Sequence, residues 1–334
     1  MVCVVGCDKN DDPSHGGDDE NNDIEVDVTT YTPQDITQTT AKFGGEVIVI
    51  QGVLPDEFGV CWSIKQNPVL VSINGYGYVS TMVYDEPFYC SVSDLMPDTK
   101  YYVRAYAVVA NKYYYGEEMS FTTLESHLES SGAYNGHDYI DLGLPSGTLW
   151  ATCNVGAATM YNYGDYFAWG EIHPKGSYNW STYLYCNGAE DQLTKYCFDS
   201  IFGYDGYTDN LTTLQPEDDA ATANWGAGWR MPTQEEWQEL FANTVGRGMI
   251  IDGVDGWLFT ASNGNGLFLP FAGYRSYGTH FKAGSSSYSW TSTLHNDNPG
   301  YAWPAISHPS ESYLYTMFRY YGLTVRPVCS SVEN

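Results

Sequence analysis

Over the first third of the chain, apolar positions come in short runs broken by turn-forming residues. Val47-Ile48-Val49-Ile50, Val60-Cys61-Trp62 and residues 101–109 are β-branched or aromatic and are bounded by Gly, Pro, Asn and Asp, which predicts strands. In the last run Tyr101, Val103, Ala105 and Ala107 share one face, and Tyr102, Arg104 and Tyr106 share the other. One buried and one wetted face are expected there. A polar, Ser-rich joint follows at 125–133. Beyond it only 233–244 carries a helical period. Trp237, Leu240, Phe241 and Thr244 fall on one helical face. Thr233 and Glu236 form a T-x-x-E capping box with Pro232 before the cap. The remainder reads as short strands between long Gly, Asn and Ser loops. The pattern predicts a mainly β chain with a minor α component in four segments: 1–24, a β-sandwich at 25–124, a linker at 125–133, and an α+β domain at 134–334.

Composition changes that picture little. The chain has 334 residues, enough for two ordinary domains, and 43% of them are hydrophobic. Thirty tyrosines and 34 glycines favour a loop-rich β protein with half-buried, hydroxyl-tipped surfaces. A formal charge of -27 with 14 scattered Lys and Arg argues against nucleic-acid binding, because no basic patch is available to track a phosphate backbone. No run of about 18 apolar residues predicts a membrane-spanning helix.

The N-terminus resembles the end of a targeting signal. Val4-Val5-Gly6-Cys7 resembles the end of a bacterial lipobox, in which the cysteine is acylated after cleavage. Asp8-Lys9-Asn10-Asp11-Asp12 resembles the acidic export signal of Bacteroidetes surface lipoproteins. The resemblance implies Cys7 as the lipid attachment, a location on the outer face of the outer membrane, and a tether over 8–23 too polar to bury a core. Six further cysteines, Cys61, Cys90, Cys153, Cys186, Cys197 and Cys329, show no C-x-x-C or C-x-x-H spacing of a zinc site. Disulfides and buried free thiols both remain open for them.

Literal motifs then suggest families for the two domains. Leu95-Met96-Pro97-Asp98-Thr99-Lys100-Tyr101 resembles the L-x-P-x-T-x-Y corner of fibronectin type III domains, whose tyrosine hydroxyl bonds back to the upstream backbone. That implies a seven-stranded fibronectin III/Ig-like stalk. Further on stand Tyr139-Ile140-Asp141-Leu142-Gly143-Leu144-Pro145-Ser146-Gly147-Thr148-Leu149-Trp150 and Trp225-Gly226-Ala227-Gly228-Trp229-Arg230-Met231-Pro232. Tyr321-Gly322-Leu323-Thr324-Val325-Arg326-Pro327 closes the set. Together they resemble the Fibrobacter succinogenes major paralogous domain. That family looks related to the formylglycine-generating-enzyme branch of the C-type-lectin-like fold, which implies a C-type-lectin-like α+β domain.

Most of these motif residues read as scaffold. Trp150, Trp169, Trp225, Trp229 and Trp237 are expected in the core. Arg230 and Arg326, set among apolar residues, are expected to make an internal ion pair or to bind backbone carbonyls. The related oxidases use a cysteine pair near the C-terminal end. Residues 273–319 contain no cysteine, so the domain is expected to be non-catalytic. The seven histidines form no H-x-H, H-x-x-x-H or H-E-x-x-H set. Gln215-Pro216-Glu217-Asp218-Asp219 is similar to the calcium tripeptides of lectins, but it precedes the helix, far from the late loop where those belong, and is read as a turn. No cofactor or metal site is expected, although acidic loops leave room for a structural calcium. Asn263-Gly264-Asn265-Gly266 reads as a hairpin turn.

The stretch 274–315 interleaves aromatics with Ser, Gly, Asn and His, the composition of recognition loops. Tyr277, His280, Phe281, His295, Asn296, Trp303 and His308 are the candidate ligand-binding residues, while Trp290 is expected in the core. The expected partner is an extracellular glycan or a host or bacterial surface protein, bound in an adhesion-type role. A component or tip of a pilus-like surface assembly is the alternative, and an oxidase the more remote one.

Overall fold

The computed structural model describes residues 24–51, 54–70, 76–81 and 87–330. Cys7 and the acidic tether lie outside these residues. The chain is mainly β, and its first part is a sandwich of two antiparallel sheets. One sheet joins β1 (Glu25–Thr30), β2 (Ala41–Gln51) and β5 (Phe88–Val92) in the order β1-β2-β5. The other runs β4-β3-β6, from β4 (Tyr76–Thr81), β3 (Glu57–Ser63) and β6 (Lys100–Val109). Its edge is one interrupted strand, β7 (Lys112–Tyr115) and β8 (Met119–Thr122), both paired with β6. Counted that way the described residues of the sandwich form seven strands.

The interruption has a local cause. The Thr30 hydroxyl, reaching across from the other sheet, takes the Ala105 N–H at 2.9 Å. Gly116 passes so close that a Cβ there would lie 2.5 Å from the Thr30 hydroxyl oxygen, so only glycine fits. Between the sheets lie Phe43, Phe58, Val60, Phe88, Val103 and Phe121 with their neighbours. The Met96 N–H donates to the Tyr101 hydroxyl oxygen at 2.9 Å, which closes the tyrosine corner. The face pattern of β6 needs one correction. Tyr106 is fully buried, not wetted, because its hydroxyl reaches the Glu57 carboxylate.

The joint at 125–133 is not a free spacer. Leu124 N–H donates to the Thr37 carbonyl at 3.0 Å on the sandwich side. On the other side His127 exchanges backbone bonds with Gly264 and Gly266 at 2.8 and 2.7 Å. Gln38 Nε2 stands 3.2 Å from His127 Nε2, and Arg247 Nη1 donates to Thr99 Oγ1 at 3.2 Å.

Beyond the joint, a five-stranded sheet brings the two ends of the second unit together. Its order is Trp229–Arg230, Val328–Cys329, Leu149–Ala151, His137–Ile140 and Gly132–Tyr134. Two helices follow the acidic turn. The first, α1 (Ala220–Trp225), is not foreshadowed by any period. Asp219 caps it by accepting from Ala221 and Thr222 N–H, and also accepts from Met231 N–H. The second, α2 (Gln234–Ala242), opens with the expected capping box of Thr233 and Glu236. Its Trp237 packs edge-on against Trp150, with ring centroids 4.7 Å apart. All five tryptophans expected in the core are buried there. The strands Thr244–Ile251, Val254–Ala261 and Gly266–Pro270 form a meander, and its second turn is Asn263-Gly264-Asn265 with Gly264 at φ +87.

Polar anchors hold the irregular chain. Arg230 pairs with Glu236. Arg326, fully buried, donates to the carbonyls of Ala151, Thr152 and Phe268 and to Asn154 Oδ1. Arg319 does the same with the carbonyls of Lys195, Tyr196 and Pro299 and the Tyr183 hydroxyl, and its guanidinium lies 5.1 Å from the Trp169 ring centroid. Among the described residues no carboxylate pairs with Arg319 or Arg326. All six cysteines among the described residues are free thiols, and burial pushes Cys61 up to about 12 and Cys329 up to about 11.

Candidate ligand-binding cleft

A second sheet of the C-terminal unit carries the cleft. The strands Ser287–Leu294, Tyr301–His308 and Glu311–Leu314 pair in that order, and Met317–Phe318 adds to the middle strand. Register places Tyr288 opposite Ile306, and Ile306 opposite Tyr313. Side chains directly across a ladder point to the same face, so these three form a row. Tyr301 is registered against Phe318, with ring centroids 4.3 Å apart. A hairpin of Tyr274–Ser276 and Thr279–Phe281 brings in Tyr274, which stands 4.9 Å from Tyr288 at 63° and 5.4 Å from Tyr321 at 80°.

These rings, with Tyr315, Thr316 and Met317, surround a cavity of about 310 Å³. No Lys, Arg, His, Asp or Glu lines it. Tyr313 and Tyr315 are 36% and 56% exposed, so its rim is wet, whereas Ile306 and Met317 are buried at its base. Burial raises the pKa of Tyr274, Tyr288 and Tyr301, that of Tyr288 to about 12, with neighbouring phenols adding to the effect for all three. The three phenols are neutral hydrogen-bonding groups at physiological pH. Glu190, from a distant loop, lies beside this cleft. It packs against Gly300, and its charge also pushes the Tyr301 phenol up. Burial raises the Glu190 carboxyl itself, against a hydrogen bond with Asn298.

The candidate residues expected from the sequence do not converge. None of them lines the cavity, although two border it. Phe281 stacks on the back of Tyr274 at 5.3 Å and 20°, and the His308 ring lies 5.7 Å from Tyr313 while its Nε2 stands 3.2 Å from Glu311. Tyr277 sits at the hairpin turn with φ +47 and is 68% exposed. His280 is held by its surroundings: Nε2 is 2.7 Å from the Ala272 carbonyl and 2.9 Å from the Tyr166 hydroxyl. His295 stacks on Trp303 at 4.8 Å, and its Nδ1 accepts from Asp297 and Asn298 N–H, which leaves it a turn-forming role; Asn296 is exposed beside it. Trp290 is buried in the core and donates to the Phe167 carbonyl. Among the lining rings, Tyr274, Tyr288, Tyr301, Tyr313 and Tyr315 lie in the stretch that composition singles out but are not among the named candidates, and Phe318 and Tyr321 lie outside it. The alternation Tyr313-Leu314-Tyr315 is the signal that marks a one-sided strand.

The acidic 215–219 segment is committed to internal bonds. Asp218 receives the hydroxyls of Tyr185 and Tyr196 and the Lys195 ammonium. Among the described residues no group of three or more His, Cys, Asp or Glu side chains is placed to hold a metal ion. Among them, too, no helix is long and apolar enough to cross a membrane.

No protein-family model matches the chain, and no curated protein matches it. Among solved structures it is similar to the sensor domain of the anti-sigma factor RsgI4 of Pseudobacteroides cellulosolvens, at 20% identity and a TM-score of 0.25, over 30% of this chain and 94% of that one. It is also similar to the third fibronectin III domain of the human KIAA0343 protein, at 15% identity and a TM-score of 0.23, over 37% of this chain and all of that one. The sandwich assignment rests on the strand register described above.

Proposed function

We propose that this chain is a non-catalytic surface lipoprotein of the outer membrane, in which the fibronectin III-like sandwich is a stalk and the C-terminal unit, of C-type-lectin-like type, binds an extracellular ligand. The observation that carries this reading is the tyrosine-lined cleft. Rigid, amphipathic rings give large contact area at low cost in side-chain entropy, and their hydroxyls add directional bonds. Tyr313 and Tyr315 hold exposed rings at the rim, where a partner can meet them. The ligand is a glycan or a protein on a neighbouring surface.

The non-catalytic part of the reading is supported by the cysteine content. Residues 273–319 hold none, and the thiol of Cys329 is buried and poorly ionised. The surface location is supported by Cys7 and the acidic residues behind it.

The full chain, immobilised and presented with a broad glycan array and with surface extracts, is expected to retain a ligand that Tyr313→Leu releases. Unchanged retention by that variant would remove the cleft from the function. In the native host, labelled palmitate is expected on the chain and absent from Cys7→Ala; label on the variant would refute the anchor.

A further inference from the structure

We infer that the cleft receives a methylated ammonium group, as carried by an Nε-trimethylated lysine of a protein ligand. This deepens the reading of the cleft as the ligand seat and rests on it.

Geometry comes first. A flat sugar ring stacks on one or two roughly coplanar aromatic faces. Here one wall is nearly flat, with Tyr301 and Tyr321 inclined to Phe318 by 30° and 35°, but the others turn sharply: Tyr274 meets Tyr288 at 63° and Tyr321 at 80°, and Tyr313 meets Tyr315 at 85°. Rings set at such angles around a cavity of about 310 Å³ form a box, suited to a compact rounded group. A ring face is the negative end of its quadrupole, so several faces around one volume favour a cation.

Charge points the same way. The cavity lining carries no basic side chain to repel a cation or to attract an anion. Arg275, next to Tyr274 in sequence, turns its guanidinium over the Tyr166 ring instead. Glu190 stands at one end beside Tyr301. Glu311, whose carboxylate also stands 3.2 Å from His308 Nε2, is two residues before Tyr313 on the same strand, hence on the same side of the sheet. The whole chain carries -27. Methylation suits the site as well, because a quaternary ammonium packs its methyl groups against ring faces and needs no hydrogen-bond acceptor. A phosphate beside the ammonium, as in phosphocholine, would face Glu190 and Glu311, which favours the lysine over the lipid-type head group.

The test titrates the full chain with a short trimethyl-lysine peptide, with the same peptide carrying the neutral carbon isostere, and with phosphocholine, followed by calorimetry. The trimethyl-lysine peptide is expected to bind roughly tenfold more tightly than the isostere, the span that cation–π attraction supplies. Tyr313→Leu is expected to abolish that difference and Tyr313→Phe to keep it, with equal thermal melting of both variants as the folding control. Glu190→Gln is expected to weaken the cation severalfold and leave the isostere unmoved. Equal binding of cation and isostere, or tighter binding of phosphocholine, would overturn the inference. A glycan held through Tyr313 with no response to the peptide would overturn it while sparing the cleft as ligand seat. Indifference of every ligand to Tyr313→Leu would sink both.

Discussion

The two halves of the molecule store their folds differently. In the sandwich, alternation along β2, β3 and β6 points Phe43, Val60 and Val103 inward, and the ladder completes itself between neighbours. In the C-terminal unit much of the chain is neither helix nor strand. It is held by single polar groups that bind backbone far away in sequence: Arg326 reaches Ala151, and Arg319 reaches Lys195. Removing one apolar residue from the first half leaves a cavity whose cost the surroundings partly relax. Removing one guanidinium from the second leaves several buried carbonyls unsatisfied at once.

That contrast can be broken by mutation. Arg326→Met is expected to destabilise the C-terminal unit by about 3–5 kcal/mol, because four acceptors lose their donor while only one charge leaves the core. Thermal or urea unfolding measures it, and a loss below about 1 kcal/mol would show that the carbonyls find other donors.

The second test is acid. Burial opposes the charged forms of Asp218 and Glu236, yet both titrate below the usual carboxylate range. Lys195 and two tyrosine hydroxyls outweigh burial at Asp218; Arg230, the Thr233 N–H and the Thr148 hydroxyl do so at Glu236. A folded pKa below the unfolded one gives stabilisation that is complete above about pH 5 and is lost as pH falls through the folded values. Asp219 works in the opposite sense, since burial raises it over its three backbone donors. Glu190, also raised by burial, works like Asp219. Asp218 and Glu236 are the ones held by ion pairs with Lys195 and Arg230, so the melting temperature of the C-terminal unit is expected to fall from pH 5 toward pH 2. Asp218→Asn should lower the stability at neutral pH by about 2 kcal/mol and flatten the acid limb. A profile unchanged by that variant would remove Asp218 from the anchors.

Smaller effects sharpen the picture. Thr233→Ala is expected to cost about 1 kcal/mol through the lost helix cap. In the sandwich, Tyr101→Phe is expected to cost about 1 kcal/mol by stranding the Met96 N–H. An equal loss at Tyr101 and Arg326 would erase the distinction between the halves.

How much of this is legible without coordinates follows the same division. The capping box, the tyrosine corner and the 263–266 turn are readable because each is local. Arg230 and Arg326 are readable because a guanidinium among apolar residues has few chemical options. Arg319 carries the same signal, flanked by Phe318 and Tyr320, and is missed only because no motif draws attention to it. The cleft is partly readable. Its stretch stands out by composition, but composition does not say which rings face one another. The row Tyr288, Ile306, Tyr313 depends on the register of three strands, and Glu190 arrives from a loop with no sequence mark. The histidines of this stretch read as ligand contacts in the sequence, yet His280 and His295 are engaged with backbone groups.

The most direct test of the account is a comparison of two substitutions in one binding experiment. The ligand retained by the full chain is measured against Tyr313→Leu, at the cleft, and against His280→Ala, outside it. The account predicts that the first loses binding and the second keeps it, with both variants melting normally. Loss with His280→Ala and retention with Tyr313→Leu would contradict it.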